Sequence, residues 1–229
     1  MNPPENTLAA ALARHQIVLP ASQTSRLEQY CALLWEWNTK INLTRHTDYE
    51  KFVGRDLVDS LAFSPFLQTG ERVLDVGTGG GVPGVVLAVL RDDLELSLCD
   101  SVGKKARAVA DIVARLGLKA PVFHARAEDL LPDHRFHTLV VRAVAPLKKL
   151  LEWLRPHWGR FDRLLVLKGP SWVEERGQAR HYGLMHGLAL RKLAVPPLPG
   201  AEWQSVLLQI CPKEKGDITD YGQLGKANQ

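Results

Sequence analysis

Residues 74–90, LDVGTGGGVPGVVLAVL, carry an apolar run into a turn with five glycines and then into a second apolar run. A short buried strand, a tight turn and a helix in that order form the opening unit of an α/β sheet. Glycine is needed in such a turn where φ is positive or where a ligand packs against the backbone. The helix expected from about Val82 would present unpaired N–H groups and a partial positive charge, suited to a carboxylate or a phosphate. The segment therefore restricts the chain to folds in which a nucleotide-like ligand sits beyond the carboxyl end of a sheet strand.

The rest of the chain agrees with such a sheet preceded by helices. Residues 1–68 read as a helical N-terminal extension: in SRLEQYCALLWEWNTKINL, the residues Leu27, Tyr30, Leu34, Trp37 and Ile41 recur at helical spacing. Thr47 and Glu50 form a candidate capping box for a second helix, with Phe52, Val53, Leu57 and Leu61 as its apolar stripe. Over residues 69–212, the short apolar strands RVLDVG, ELSLCD, APVFHA, HTLVVRAV and RLLVLKG alternate with helices at 82–91, about 103–116, 127–131 and 146–156. This alternation predicts a parallel sheet covered on both faces. In PLKKLLEWLRPHW, Leu147, Leu150, Leu151 and Leu154 form the buried face, while Lys148, Lys149 and Glu152 face outward. A further helix is expected in SWVEERGQARHYG. LALRKLAV and EWQSVLLQI, separated by PPLPG, then read as an antiparallel hairpin at the sheet edge. Residues 213–229 are polar and glycine-rich and read as a disordered tail.

Composition excludes several classes. A chain of 229 residues, 45% of them hydrophobic, holds one full α/β domain with an appendage. No apolar run approaches the ~20 residues of a membrane span, and the N-terminus lacks the basic-then-apolar order of a signal peptide. Cys31, Cys99 and Cys211 are too scattered for a zinc site or a disulfide framework. His134 and His137 lack nearby ligating partners and read as an exposed turn, so no metal is expected. These features fit a cytoplasmic protein, and without an obvious dimer helix a monomer is expected. The net charge of +4 is mild, but the basic residues are grouped: Lys104, Lys105 and Arg107; Lys148, Lys149 and Arg155; Arg160, Arg163 and Lys168. Taken singly, each group reads as a solvated helix face. Loops after consecutive strands surround one crevice, however, so the groups are expected to converge on one mouth, as a polyanionic substrate requires.

The glycine turn fits two cofactor fingerprints. Through Gly79, Gly81 and Gly84 it matches the dinucleotide pattern G-x-G-x-x-G; from Asp75 it matches D-x-G-x-G-x-G, the loop of S-adenosylmethionine-dependent methyltransferases. Asp100 ends the second strand, 23 residues after Gly77. A carboxylate there can accept both ribose hydroxyl hydrogens of either cofactor and would repel the 2′-phosphate of NADP; capping of the following helix is its alternative role. After the third strand, ARAEDL places Ala127 and Glu128 where a methyltransferase sets its adenine, with the backbone reading N1 and N6. Otherwise the acids simply favour a helix N-terminus. Arg142 and Lys168 end the fourth and fifth strands and are expected to face the same crevice, a structural salt bridge being the alternative for Arg142. The terminal hairpin favours methyl transfer, because a dehydrogenase would end in a sixth parallel strand.

Together these pieces resemble one family, the RsmG (GidB) methyltransferases, which make 7-methylguanosine in bacterial 16S ribosomal RNA. WNTKINLTR, RDLVDSL, LDVGTGGGVPGVVLA, CDSVGKKARAV, ARAEDL, VVRAVAPLKKLL and LVLKG carry the resemblance, in that order, across roughly residues 35–169. It implies an α/β fold with the Rossmann-like class I sheet, mostly parallel with an antiparallel edge strand, behind the helical N-terminal extension. It implies S-adenosyl-L-methionine as cofactor and 16S rRNA or the small ribosomal subunit as partner. It places Gly77 and Val82 on the cofactor loop, Asp100 on the ribose, Ala127 and Glu128 on the adenine, and Arg142 in the cofactor pocket. Gly80 stands where some relatives carry proline, which should loosen the turn.

Guanine N7 already carries an in-plane lone pair, so its methylation needs neither a general base nor a covalent nucleophile. The sequence offers neither: NPPE lacks the aromatic of amino-methylating motifs, no Pro-Cys dipeptide occurs, and Cys99 reads as core. Catalysis would rest on in-line positioning, worth up to ~7–11 kcal/mol. Arg142 is expected to contact O6 or a phosphate, leaving N7 free, and with Lys168 to disfavour the cationic product. The N-terminal helices either extend the RNA surface or pack on the sheet edge. Two rivals stand beside this reading: an NAD-dependent oxidoreductase and a noncatalytic rRNA-binding assembly factor.

Overall fold

The structure, a computed structural model, describes residues 6–195 and 205–213. NPPE, PPLPG and residues 214–229 of the expected tail lie outside the described residues. Helices α1 (Leu8–Arg14) and α2 (Ala21–Asn38) open the chain. A composite helix follows, from α3 (Tyr49–Lys51) through a π-helical stretch (Phe52–Leu57) into α4 (Val58–Leu61). The alternating region comprises β1 (Arg72–Val76), α5 (Gly84–Leu90), β2 (Glu95–Asp100), α6 (Gly103–Arg115), β3 (Val122–His124), α7 (Ala127–Leu130), β4 (Thr138–Arg142), α8 (Leu147–Leu154) and β5 (Arg163–Lys168). Then come α9 (Trp172–His181), β6 (Leu188–Leu193) and β7 (Val206–Pro212).

The seven strands lie in the order β3-β2-β1-β4-β5-β7-β6. β1 to β5 run parallel, and β7 is antiparallel to both neighbours. That ending is the methyltransferase one; the dehydrogenase rival required a parallel sixth strand beside β5. Side chains alternate between faces with period two. Val73, Val140 and Leu165 join the core that α2, α5 and α6 cover, whereas Leu74, Leu139, Val141 and Leu164 join the one beneath α7, α8 and α9. On α8, Leu147, Leu150, Leu151 and Leu154 are buried as the spacing predicts.

The N-terminal helices belong to the first core: Leu8, Leu27, Tyr30, Leu34 and Phe52 are fully buried in it. Two local expectations change. α2 stops at Asn38 because its Oδ1 accepts the Leu43 and Thr44 amides (2.8 and 3.0 Å), so Ile41 falls in a turn. Such side-chain acceptors compete with the helix ladder. The cap of α3 is Asp48, whose side chain accepts the Lys51 amide at 2.8 Å, not Thr47. Glu50 instead meets Arg14, the last residue of α1, and His15, which follows it, each at 2.7 Å.

Charge distribution also departs from the expected single mouth. Arg160 and Arg163 precede or open β5 and so lie at the amino edge of the sheet. Arg163 is buried, donating to both oxygens of Glu71 (2.9 and 3.0 Å), to the Thr138 hydroxyl (2.7 Å) and to the Phe66 carbonyl.

Candidate functional site

The site is built at the carboxyl edge, where β1 turns into α5. Gly77 and Thr78 donate their amides to the Cys99 carbonyl at 2.9 and 3.0 Å, tying the turn to β2. Gly77 has φ +69°, and a Cβ there would stand 2.7 Å from Val144 Cγ2, so both conformation and space demand glycine. Gly84 is required by space alone: a Cβ would lie 2.6 Å from Asp75 Oδ2 and 2.7 Å from Leu98 Cδ2. Gly80 does not loosen the turn as expected, because Tyr30 donates its buried hydroxyl to the Gly80 carbonyl at 2.9 Å.

Two carboxylates brace the loop from beneath. Asp75 Oδ2 accepts the Gly84 amide at 2.9 Å. α5 thus starts at Gly84 rather than near Val82, and its first amide is satisfied by the chain itself. Burial pushes the Asp75 carboxyl up to about 6, against the lowering pull of the Thr78 hydroxyl, the Gly84 amide and Arg142. The unfolded chain gives up this proton near the usual carboxylate range, so the folded state loses stability as pH rises from about 4 to about 6, by up to roughly 3 kcal/mol. Asp75→Asn removes the titration. Its stability relative to the parent is expected to rise between pH 4 and 7 in urea unfolding; a pH-independent difference would reject the assignment.

Asp100 uses both oxygens on backbone: Oδ2 accepts the Gly79 amide (2.9 Å) and Oδ1 the Val102 amide (2.8 Å). It therefore ties the glycine loop to the end of β2 and fixes the turn that leads into α6, whose cap is Val102 without a side-chain bond. A carboxylate has about four acceptor sites, so two remain for hydroxyl groups.

Two cavities adjoin the turn and share Arg142 and Ala143 as their partition. One, of about 300 Å³, is walled by Gly77–Gly80, Val82, His46 and Asp56; the other, of about 490 Å³, by Arg55, Asp59, Val144, Lys168 and Glu175. Ala143 holds φ +54°, a left-handed conformation costly for a residue with a Cβ and concentrated at functional sites. The structure thus brings Gly77, Val82 and Arg142 to one cavity and Arg142 with Lys168 to the next. Ala127 and Glu128 line neither cavity; they open α7 after β3, whose His124 is the register partner of Asp100 in the parallel β2–β3 pair.

The two cations expected at the crevice are paired with acids. Arg142 Nη2 meets Asp56 Oδ1 at 2.7 Å and Nε meets Asp59 Oδ2 at 3.0 Å, all three side chains at most 16% exposed. Lys168 donates to the Ala145 carbonyl (2.6 Å) and pairs with Glu175 (2.7 Å), which also accepts the Leu147 amide. Arg142 is the salt-bridged strut that was its alternative reading. Arg142 and Lys168 are thus committed to carboxylates, while Arg55 in the wider cavity and Arg45 and Lys105 in the narrower one share the walls. Sequence patterns alone miss Asp56 and Asp59, both within RDLVDSL. Their signal was two acids three apart on an apolar helix face, where charge stays buried only if paired.

The donor set suits a ribosylated, amino-acid-bearing cofactor. A Cβ on Gly79 would find no atom closer than 3.9 Å, so that backbone is open to an incoming ligand. Asp100 stands beside it with acceptor capacity for a ribose. No group of three or more His, Cys, Asp or Glu poised to hold a metal occurs among the described residues, and no described helix is long and apolar enough to cross a membrane.

Comparison with known proteins agrees with this geometry. The family model described as GidB, rRNA small subunit methyltransferase G, matches residues 23–197. A relative named ribosomal RNA small subunit methyltransferase G from Rhodopirellula baltica is 51% identical over 191 residues, covering 83% of this chain and 80% of that protein. Its namesake from Pseudomonas aeruginosa is 37% identical over 194 residues, covering 78% and 91%. Among solved structures, M. capricolum TrmK in complex with S-adenosyl-homocysteine superposes with TM-score 0.51 at 14% identity, covering 67% of each chain, which bears on the fold alone. Family model, sequence identity and sheet topology converge: the chain belongs to the GidB family of rRNA small subunit methyltransferases G.

Proposed function

We propose that the protein transfers a methyl group from S-adenosylmethionine to N7 of a guanine in small-subunit ribosomal RNA, acting as a monomer in the cytoplasm. The observation that carries this reading is the match of the family model across residues 23–197, which contain the glycine turn, Asp100 and the Arg142 partition. When bound, S-adenosylmethionine supplies an electrophilic methyl on a sulfonium. Gly77, Val82 and the open Gly79 backbone would cradle it. Asp100 would accept the ribose hydroxyls with the acceptor sites left by Gly79 and Val102. Ala127 and Glu128 open α7, where the first amides have no partner within a helix, and so suit the edge of an adenine.

The remaining residues position rather than react. Cys99 is no nucleophile, since burial pushes its thiol up to about 12. Arg142, held at both ends by Asp56 and Asp59, fixes the wall between the two cavities, so the geometry of one is set by the other. That rigidity is what an in-line transfer to an already nucleophilic nitrogen uses.

The test is incubation with labelled S-adenosylmethionine and small-subunit RNA or particles, followed by nucleoside analysis. 7-Methylguanosine is the expected product; label on another atom, or on none, refutes the reading. Asp100→Ala should weaken S-adenosylmethionine about 10- to 150-fold in calorimetry, the equivalent of one charge-assisted hydrogen bond. Undiminished affinity would remove Asp100 from the ribose.

A further inference from the structure

Resting on the reading of the cleft as the S-adenosylmethionine site, we propose that Asp56, on the N-terminal extension, receives the α-ammonium group of the cofactor's amino-acid end. Asp56 has a side chain only 4% exposed and gives Oδ1 to Arg142 at 2.7 Å. Its Oδ2 lies 2.9 Å from His46 Nδ1. The direction of that approach makes no hydrogen bond, so both atoms are buried without a hydrogen-bond partner among the described residues. A buried carboxylate oxygen without a hydrogen bond is costly, and Asp56 is one of the residues that line the 300 Å³ cavity. The same wall carries Arg45 and Lys105. Acid and bases around one space complement a zwitterion, and an amino acid is one.

Topology assigns the ends of the ligand. Asp100 ends β2 and Ala127 follows β3, whereas Arg142 ends β4, on the other side of β1. A ribose at Asp100 with its base toward Ala127 leaves the amino-acid end for the β4 side of the glycine turn. Asp56 stands there, brought in by the π-helical stretch between α3 and α4. The extension thereby completes the cofactor pocket and does more than pack beside it.

Calorimetry separates this role from a structural one. S-adenosylhomocysteine carries the ammonium and carboxylate; 5′-methylthioadenosine carries neither. Asp56→Asn should raise the Kd of S-adenosylhomocysteine about 10- to 100-fold more than it raises that of 5′-methylthioadenosine. Asp59→Asn, which opens the other half of the Arg142 pair without lining this cavity, should shift both ligands by one common factor. Equal losses in Asp56→Asn, or no loss for S-adenosylhomocysteine, overturn the proposal. If Asp56→Asn does not fold, the parent protein is titrated with the S-adenosylhomocysteine analogue lacking the α-amino group. It should bind about 10- to 100-fold more weakly, and equal affinity overturns the proposal. A parent protein that binds none of these nucleosides removes the cofactor reading and this inference with it, a result distinct from lost discrimination.

Discussion

Arg163→Met is expected to destabilise the fold by about 3–5 kcal/mol, the cost of leaving one member of a buried ion pair alone. Arg163 holds Glu71 with two hydrogen bonds and also engages Thr138 and the Phe66 carbonyl. Methionine fills similar volume but leaves the Glu71 carboxylate, 7% exposed, without its cation. For a chain of this size the melting temperature should fall by about 6–20 °C. The cluster lies at the amino edge of the sheet, joining the segment before β1 to β4 and β5, away from both cavities. Folded variant should therefore bind S-adenosylhomocysteine as the parent does. A shift below about 2 °C, or a selective loss of ligand, would show that the cluster has been misjudged.

Arg142→Gln places the same kind of defect at the opposite edge and should differ in consequence. Asp56 and Asp59, both buried, would lose the guanidinium they share, again costing about 3–5 kcal/mol. Here the partition between the cavities is also released. Single-turnover methylation, measured well below the melting temperature, should slow about 100-fold, the scale of an ångström of misplacement. Arg142→Lys should recover less than half of the lost stability, because a point charge cannot bridge two carboxylates as a guanidinium fork does. A fully active Arg142→Gln would remove the strut from the site; full rescue by lysine would reduce its role to charge alone.

The contrast between these two arginines shows what the sequence made legible. Strand–helix alternation, the glycine turn and the leucine face of α8 are local patterns with fixed periods, and the structure follows them to within a few residues. The terminal hairpin could be read because two apolar runs lacked room for a helix between them. Partnership across the chain is not local. Arg163 read as one of a basic group after a strand, yet it pairs with Glu71, 92 residues away. Arg142 ends β4 and lines both cavities, but its acids sit on the N-terminal extension, and no spacing rule links them. Thr47 and Asp48 are both competent capping residues one position apart, and spacing alone does not choose Asp48, which caps α3.

One topological fact bears on how the molecule is made. β7, the last described strand, lies between β5 and β6 rather than outside them. Until residues 206–212 have left the ribosome, β5 keeps a bare row of amides and carbonyls, and β6 has nothing to join. From the completion of β5 at Lys168 until β7 is made, the nascent protein thus carries a sticky, unfinished flank of the kind that templates association between chains. Shortened products ending before Val206 should accumulate as aggregates, even though every residue of the methyl-donor cleft discussed above has already been translated.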